Sequence, residues 1–288
     1  MRSVLSKNLL IIATAFYLFT NMAASAEVDW SFSKSKELAK DIYTDNQITF
    51  YCGCNYQTKE KKLIPNWDSC DYFPRNEYTK SGKVNSRSLR IEWEHVMPAW
   101  FFGHGMKCWK NGGRKACKKD NQFEKMEADL HNLVPAIGEI NGDRSNFSFA
   151  NIDGEKRVYG ACDFEINFQN RVVEPREAIQ GDIARIYFYM SETYNLPLTK
   201  KLKKMLNNWS KLDPVDQKEL ERNSKIFRIQ GNSNPFVDAK QTIKKKLAPG
   251  VAPVTSASKK GGSSGDVKAS KVIEVKSYSK KSKLANDF

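Results

Sequence analysis

The sequence predicts an α+β fold built as a single disulfide-stabilised domain. Three observations carry this expectation. Residues 90–94 alternate polar and apolar side chains as a half-buried strand does, three segments between 176 and 228 carry helical apolar spacing, and six Cys follow what reads as an export signal. With 288 residues, 40% of them hydrophobic, the chain can bury a substantial core, which excludes disorder throughout.

In chain order, the first feature is the apolar run Leu9 to Phe19, too short for a membrane span of roughly 20 residues. Arg2 and Lys7 precede it and Ala24-Ser25-Ala26 follows, the order of a secretory signal at residues 1–26, with an uncleaved anchor as the alternative. A soluble, exported protein, periplasmic or secreted, is therefore expected. Cys52, Cys54, Cys70, Cys108, Cys117 and Cys162 all lie in the mature part, and an even count in an exported chain implies up to three disulfides. Cys108 and Cys117, close in sequence, are the expected pair. The other four join the segment around Cys52 and Cys54 to Cys70 and Cys162 in an order left open. A zinc site is disfavoured because Cys52-Gly53-Cys54 has one intervening residue and no wider spacing recurs.

From Arg90, the polar residues Arg90, Glu92 and Glu94 alternate with Ile91 and Trp93 until Pro98 stops the ladder. An ideal strand points Glu94 and His95 to opposite faces, so a site using both requires the strand to bend or end between them. A short helix from Met126 to Leu133 would place Asp129, Asn132 and Leu133 along one side. Further on, residues 176–195 space Ala178, Ile179, Ile183, Ile186, Tyr187 and Met190 for one buried helical face, with Pro175 at the mouth. Residues 199–211 repeat the pattern in Leu202, Met205, Leu206 and Trp209, and Asp213-Pro214 opens a third helix towards Arg228. No internal repeat interrupts residues 27–238, so one mature domain is expected there.

The formal net charge is +14, and residues 239–288 hold most of it: twelve Lys, among them Lys244, Lys245 and Lys246, against three acids. Residues 27–238 are only mildly basic. With Gly261-Gly262-Ser263-Ser264-Gly265 and few aromatics, residues 239–288 read as a flexible polybasic extension, a nucleic-acid contact or a merely solvated terminus.

The chemistry is concentrated in the middle. A carboxylate such as Glu94 and an amide oxygen such as Asn132 are hard donors suited to Mg²⁺ or Ca²⁺, and a neutral imidazole at His95 can accept a proton from water. On spacing alone these residues could equally be structural. Longer strings are more specific: residues 90–103 (RIEWEHVMPAWFFG), 129–147 (DLHNLVPAIGEINGDRSNF), 229–238 (IQGNSNPFVD) and 50–54 (FYCGC). Together they resemble the bacterial endonuclease I family of periplasmic and secreted nucleases, over nearly all of residues 30–238.

The resemblance implies a ββα-metal (His-Me finger) core surrounded by helices and cleavage of DNA, and RNA, with little sequence preference. It implies His95 as general base, Glu94 and Asn132 as ligands of one Mg²⁺ (Mn²⁺ or Ca²⁺ in the same site), and products ending in 5′ phosphate. It also implies an arginine at the scissile phosphate. Arg114, after Gly112-Gly113 in the basic segment 107–119, fits a bidentate phosphate contact, with a surface role as the alternative. Arg144 is a candidate nucleic-acid contact whose other reading is a structural ion pair; His104 and His131 read as structural. Of Trp67, Tyr72, Phe73, Trp93, Trp100, Phe101, Phe102 and Trp109, most are expected in the core, some as stacking platforms. Nothing calls for a partner chain, so a monomer is expected.

Two other classes remain at this stage. A secreted nucleic-acid-binding protein without catalysis would have no need of Glu94, His95 and Asn132 together, and a phosphodiesterase of small molecules would have no use for a tail of +9.

Overall fold

A computed structural model describes residues 31–238 other than Glu155. Residues 1–26, read above as an export signal, and residues 239–288, with Lys244, Lys245 and Lys246, lie outside the described residues.

The chain begins with α1 (Phe32–Ile42), capped by the Ser31 hydroxyl accepting from Lys34 N. A hairpin follows, β1 (Tyr56–Lys59) and β2 (Lys62–Pro65), whose two-residue turn holds Glu60 and Lys61 at positive φ. Then come β3 (Ile91–His95), the short helices α2 (Ala99–Gly103), α3 (Lys107–Lys110) and α4 (Gly113–Cys117), and α5 (Asn121–Ala128). A 3₁₀ turn (Leu130–Asn132) leads into β4 (Leu133–Ile137), and α6 (Gly138–Arg144) follows without a loop. After β5 (Ser148–Phe149), β6 (Phe164–Asn167) and β7 (Val172–Pro175), three helices close the domain: α7 (Gln180–Tyr194), α8 (Lys200–Leu212) and α9 (Gln217–Gln230). The fold is mixed α+β in one domain. Among the described residues no helix is long and apolar enough to cross a membrane.

Two small sheets position the site. Antiparallel β3 and β4 pair from Ile91 with Ile137 to His95 with Leu133, and Val96 N to Asn132 O at 3.0 Å extends the ladder by one bond. In the second sheet β7 lies between β5, parallel to it, and β6, antiparallel. Strand β4 is buried along its whole length, and α7 buries Ile183, Ala184, Ile186, Tyr187 and Met190 in the main core, with Leu206 and Trp209 of α8 beside them. A second apolar cluster joins α1 to α9 through Ala39, Ile42, Leu130, Leu133 and Ile226.

Two elements depart from the sequence expectation. The helix expected through Leu133 stops at Ala128, because Asp129 is extended (ψ 117°) and its carboxylate accepts from His131 N, Tyr189 OH and Tyr194 OH. The third C-terminal helix starts later than Asp213-Pro214. Asp216 caps it by accepting from Glu219 N, while Asp213 ends α8 and accepts from Gly181 N. Of the aromatics, Tyr72 and Phe102 are buried, while Phe73 and Trp100 are 65% and 44% exposed.

The disulfides are Cys52–Cys162, Cys54–Cys70 and Cys108–Cys117, and no Cys is free. The first joins residues separated by 110 positions, so it removes the most freedom from the unfolded chain. Thiol titration of unfolded, unreduced mature protein should find no free thiol. Replacing Cys52 and Cys162 together by Ser should cost about 2–5 kcal/mol in denaturant unfolding, and unchanged stability would contradict a structural role for that bridge.

Candidate active site

The site forms where β3 ends. A cleft of about 690 Å³ is lined by Glu94 and His95 from β3, Pro98 and Trp100 beyond it, Arg114 from α4, and Asn141 and Asn146 at and beyond α6. Glu94 and His95 both reach one cleft although they are consecutive, as do Ile91, Glu92 and Trp93 of the same strand.

His95 is 6% exposed, bracketed by the Phe32 ring at 4.8 Å and the Phe102 ring at 6.2 Å. Its Nε2 donates to Glu127 O at 2.7 Å; a carbonyl only accepts, so Nε2 carries the proton and Nδ1 is left bare. Burial, reinforced by the Arg114 and Arg144 charges, pushes the imidazole down to about 3, so it is neutral across the physiological range. A neutral ring with a bare nitrogen in a cleft can take a proton from water.

Glu94, 5% exposed, accepts from Tyr51 OH at 3.1 Å and faces Arg144 Nε at 3.2 Å. Burial pushes its carboxyl up to about 7, with Arg144 and Tyr51 opposing. Arg144 is fully buried, donates to Val96 O at 2.5 Å and Ser145 O at 3.0 Å, and lies over the Phe149 ring. A guanidinium with no exposed surface cannot meet a phosphate in this arrangement. Its reading as a nucleic-acid contact is therefore corrected to a structural ion pair that fixes Glu94.

Asn132 also departs from expectation. It is fully buried, and its side chain is engaged at both ends: Oδ1 accepts from Met97 N at 2.7 Å and Nδ2 donates to Met97 O at 2.9 Å. It does not line the cleft. Its position in the structure is that of a clamp holding the chain between β3 and α2.

Asn141, not singled out from the sequence, lines the cleft instead. Gly138 and Gly142 let α6 lie close: a Cβ on Gly138 would come within 2.6 Å of Arg87 O, and one on Gly142 within 2.2 Å of Arg87 Nη1. Asn141 Nδ2 donates to Glu92 Oε2 at 2.9 Å, which leaves its amide oxygen available as a ligand. Glu92 is itself held by Arg87 and Arg90.

Arg114 lies on α4, whose Cys117 is joined to Cys108 of α3. Its Nε pairs with Glu127 Oε1 at 2.5 Å, its side chain is 43% exposed, and it lies over Phe32. Glu127, also missed from the sequence, thus orients His95 through its carbonyl and Arg114 through its carboxylate. His131 is buried, bonds Asn232 O through Nε2 and packs on Tyr189, whereas His104 is exposed.

No group of three His, Cys, Asp or Glu that could hold a metal ion occurs among the described residues. Glu94 and Asn141 line the same cleft, and a carboxylate and an amide oxygen are hard donors of the kind that suit a cation which keeps most of its water.

Comparison with known proteins gives a consistent result. The chain matches the family description Endonuclease I over residues 31–241. It is 43% identical over 229 residues to an extracellular deoxyribonuclease of Aeromonas hydrophila, covering 79% of this chain and 96% of the relative. A periplasmic deoxyribonuclease of the same organism is 42% identical over 229 residues, 79% of this chain and 94% of the relative. Endonuclease-1 of Buchnera aphidicola subsp. Acyrthosiphon pisum (strain APS) is 48% identical over 207 residues, 72% of this chain and 80% of the relative.

Proposed function

Because the chain belongs to the Endonuclease I family, we propose that it is an exported, largely sequence-nonspecific endonuclease that hydrolyses the phosphodiester bonds of DNA, and of RNA, to 5′-phosphate ends. The observation that carries the reading is the neutral His95, Nδ1 bare, in one cleft with Glu94, Asn141 and Arg114. The succession β3–β4–α6, two antiparallel strands running directly into a helix, supports reading this core as a ββα-metal (His-Me finger) motif.

In this mechanism Glu94 and Asn141 would hold one Mg²⁺, with Mn²⁺ or Ca²⁺ as substitutes in the same donor set. When bound, such a cation neutralises charge building on the phosphate and eases departure of the 3′ oxygen. His95 Nδ1 takes the proton of the attacking water as its oxygen bonds to phosphorus. The bond from phosphorus to the 3′ oxygen breaks, and that oxygen is protonated by solvent. Arg114, held by Glu127, offers two donors to a non-bridging phosphate oxygen pair. Nothing in this sequence of steps uses a 2′ hydroxyl, so the chemistry applies to RNA as well as to DNA.

Glu94→Gln keeps the side-chain volume beside Arg144 and removes the charge. The Mg²⁺ concentration giving half-maximal plasmid nicking should rise about tenfold or more, and an unmoved titration would place the cation elsewhere.

Residues 239–288 act in substrate capture on this reading. A chain ending at Asp238 should keep its turnover at saturating DNA. Each phosphate neutralised adds ~0.9 to the slope of log affinity against log salt on duplex DNA. Truncation should therefore flatten that slope by several units in His95→Ala protein, and equal slopes with and without the extension would remove it from capture.

A further inference from the structure

The rim of the cleft carries an aromatic ring that the hydrolysis does not use. Trp100 is 44% exposed and borders both the catalytic cleft and a smaller adjoining hollow that it shares with Pro98, Asn146 and Phe147. One face of the indole is covered: the His104 ring is stacked on it with centroids 4.0 Å apart and planes 6° from parallel, and His104 Nδ1 donates to Trp100 O at 2.8 Å. The backing ring stiffens Trp100 without burying it.

Its placement is fixed from below as well. The chain between His95 and Trp100 is clamped at Met97 by both amide atoms of Asn132, and Pro98 caps α2. Across the shared wall, exposed Arg171 donates from Nη2 to Asn146 Oδ1 at 2.5 Å and lies 4.7 Å over the Phe147 ring. A flat apolar face thus borders both cavities, and a braced cation lies just behind Asn146 and Phe147, two residues of the hollow's wall.

We propose that an unpaired nucleobase of the substrate strand stacks on Trp100 while Arg171 meets an adjoining phosphate, an inference that rests on the nuclease reading above. In a duplex, neighbouring bases cover both faces of each base, so only a single strand, a strand end or a displaced nucleotide can use the ring. Base stacking on an aromatic side chain tolerates any base, which suits a site without sequence preference.

The test uses the full mature chain with His95→Ala, so that binding is read without cleavage, and a twelve-residue oligothymidylate against a twelve-base-pair duplex in Mg²⁺. Adding Trp100→Ala should lower the ratio of single-strand to duplex affinity by about tenfold or more, and Trp100→Phe should restore most of it. Arg171→Met should reduce the single-strand salt slope by ~0.7, the loss of one phosphate contact. An unchanged affinity ratio in Trp100→Ala overturns the stack, and an unchanged slope in Arg171→Met overturns the phosphate contact. Plasmid cleavage by the wild-type protein is scored separately: with cleavage intact, these failures concern the rim alone, whereas a wild type that cuts no nucleic acid removes the reading beneath them.

Discussion

His95→Ala should lose ~10²–10⁴ of the cleavage rate, the usual cost of removing a general base. The imidazole lies between Phe32 and Phe102 and carries no charge at neutral pH, so its loss leaves a cavity rather than an unpaired ion. The variant should accordingly fold, with a modestly lower melting temperature and DNA affinity close to wild type. Added imidazole should restore part of the rate by occupying the vacated space. Supercoiled plasmid nicked at near wild-type rate by the variant would sink the assignment of His95.

The second large effect separates two asparagines. Asn132→Ala strands the buried backbone N–H and C=O of Met97, each of which then lacks its partner. Unmade bonds of this kind cost about 1–3 kcal/mol each, so the domain should lose about 2–6 kcal/mol in denaturant unfolding. Asn141→Ala breaks only a bond to Glu92 that Arg87 and Arg90 already neutralise. It should leave stability nearly unchanged and raise the Mg²⁺ needed for half-maximal cleavage about tenfold or more. The reverse outcome, a stable Asn132→Ala with a shifted metal titration and a normal Asn141→Ala, would return the ligand role to Asn132.

What was legible in the sequence follows from how local each cause is. Helices α7 and α8 could be read because their apolar spacing states which face is buried; β3 was legible as a strand, but its alternation did not mark the buried face, since Glu94 and His95 are buried and Trp93 only half-buried. The disulfide Cys108–Cys117 closes a short segment and is legible for the same reason. The break after Ala128 was not, since the groups that hold Asp129 extended, Tyr189, Tyr194 and Gln230, lie 60, 65 and 101 residues away. Asn132, Asn141 and Asn146 all fall in one string, and no pattern of spacing tells a clamp from a cleft residue. The distinction appears only once β4 runs into α6 and two glycines bring that helix against Arg87. Arg144 shows the same limit: an exposed and a fully buried guanidinium look alike in sequence, and only its partner Glu94 decides. Glu127 escaped because half of its role is played by a backbone carbonyl, which every residue has.

The chemistry itself is tested most directly by the ends that the mature wild-type protein leaves. Supercoiled plasmid nicked in Mg²⁺, and protected in EDTA, should yield circles that a DNA ligase seals without further treatment, since water attack with loss of the 3′ oxygen leaves a 5′ phosphate beside a 3′ hydroxyl. Nicking that survives EDTA, or nicks that ligase closes only after a kinase has added a 5′ phosphate, would contradict the account.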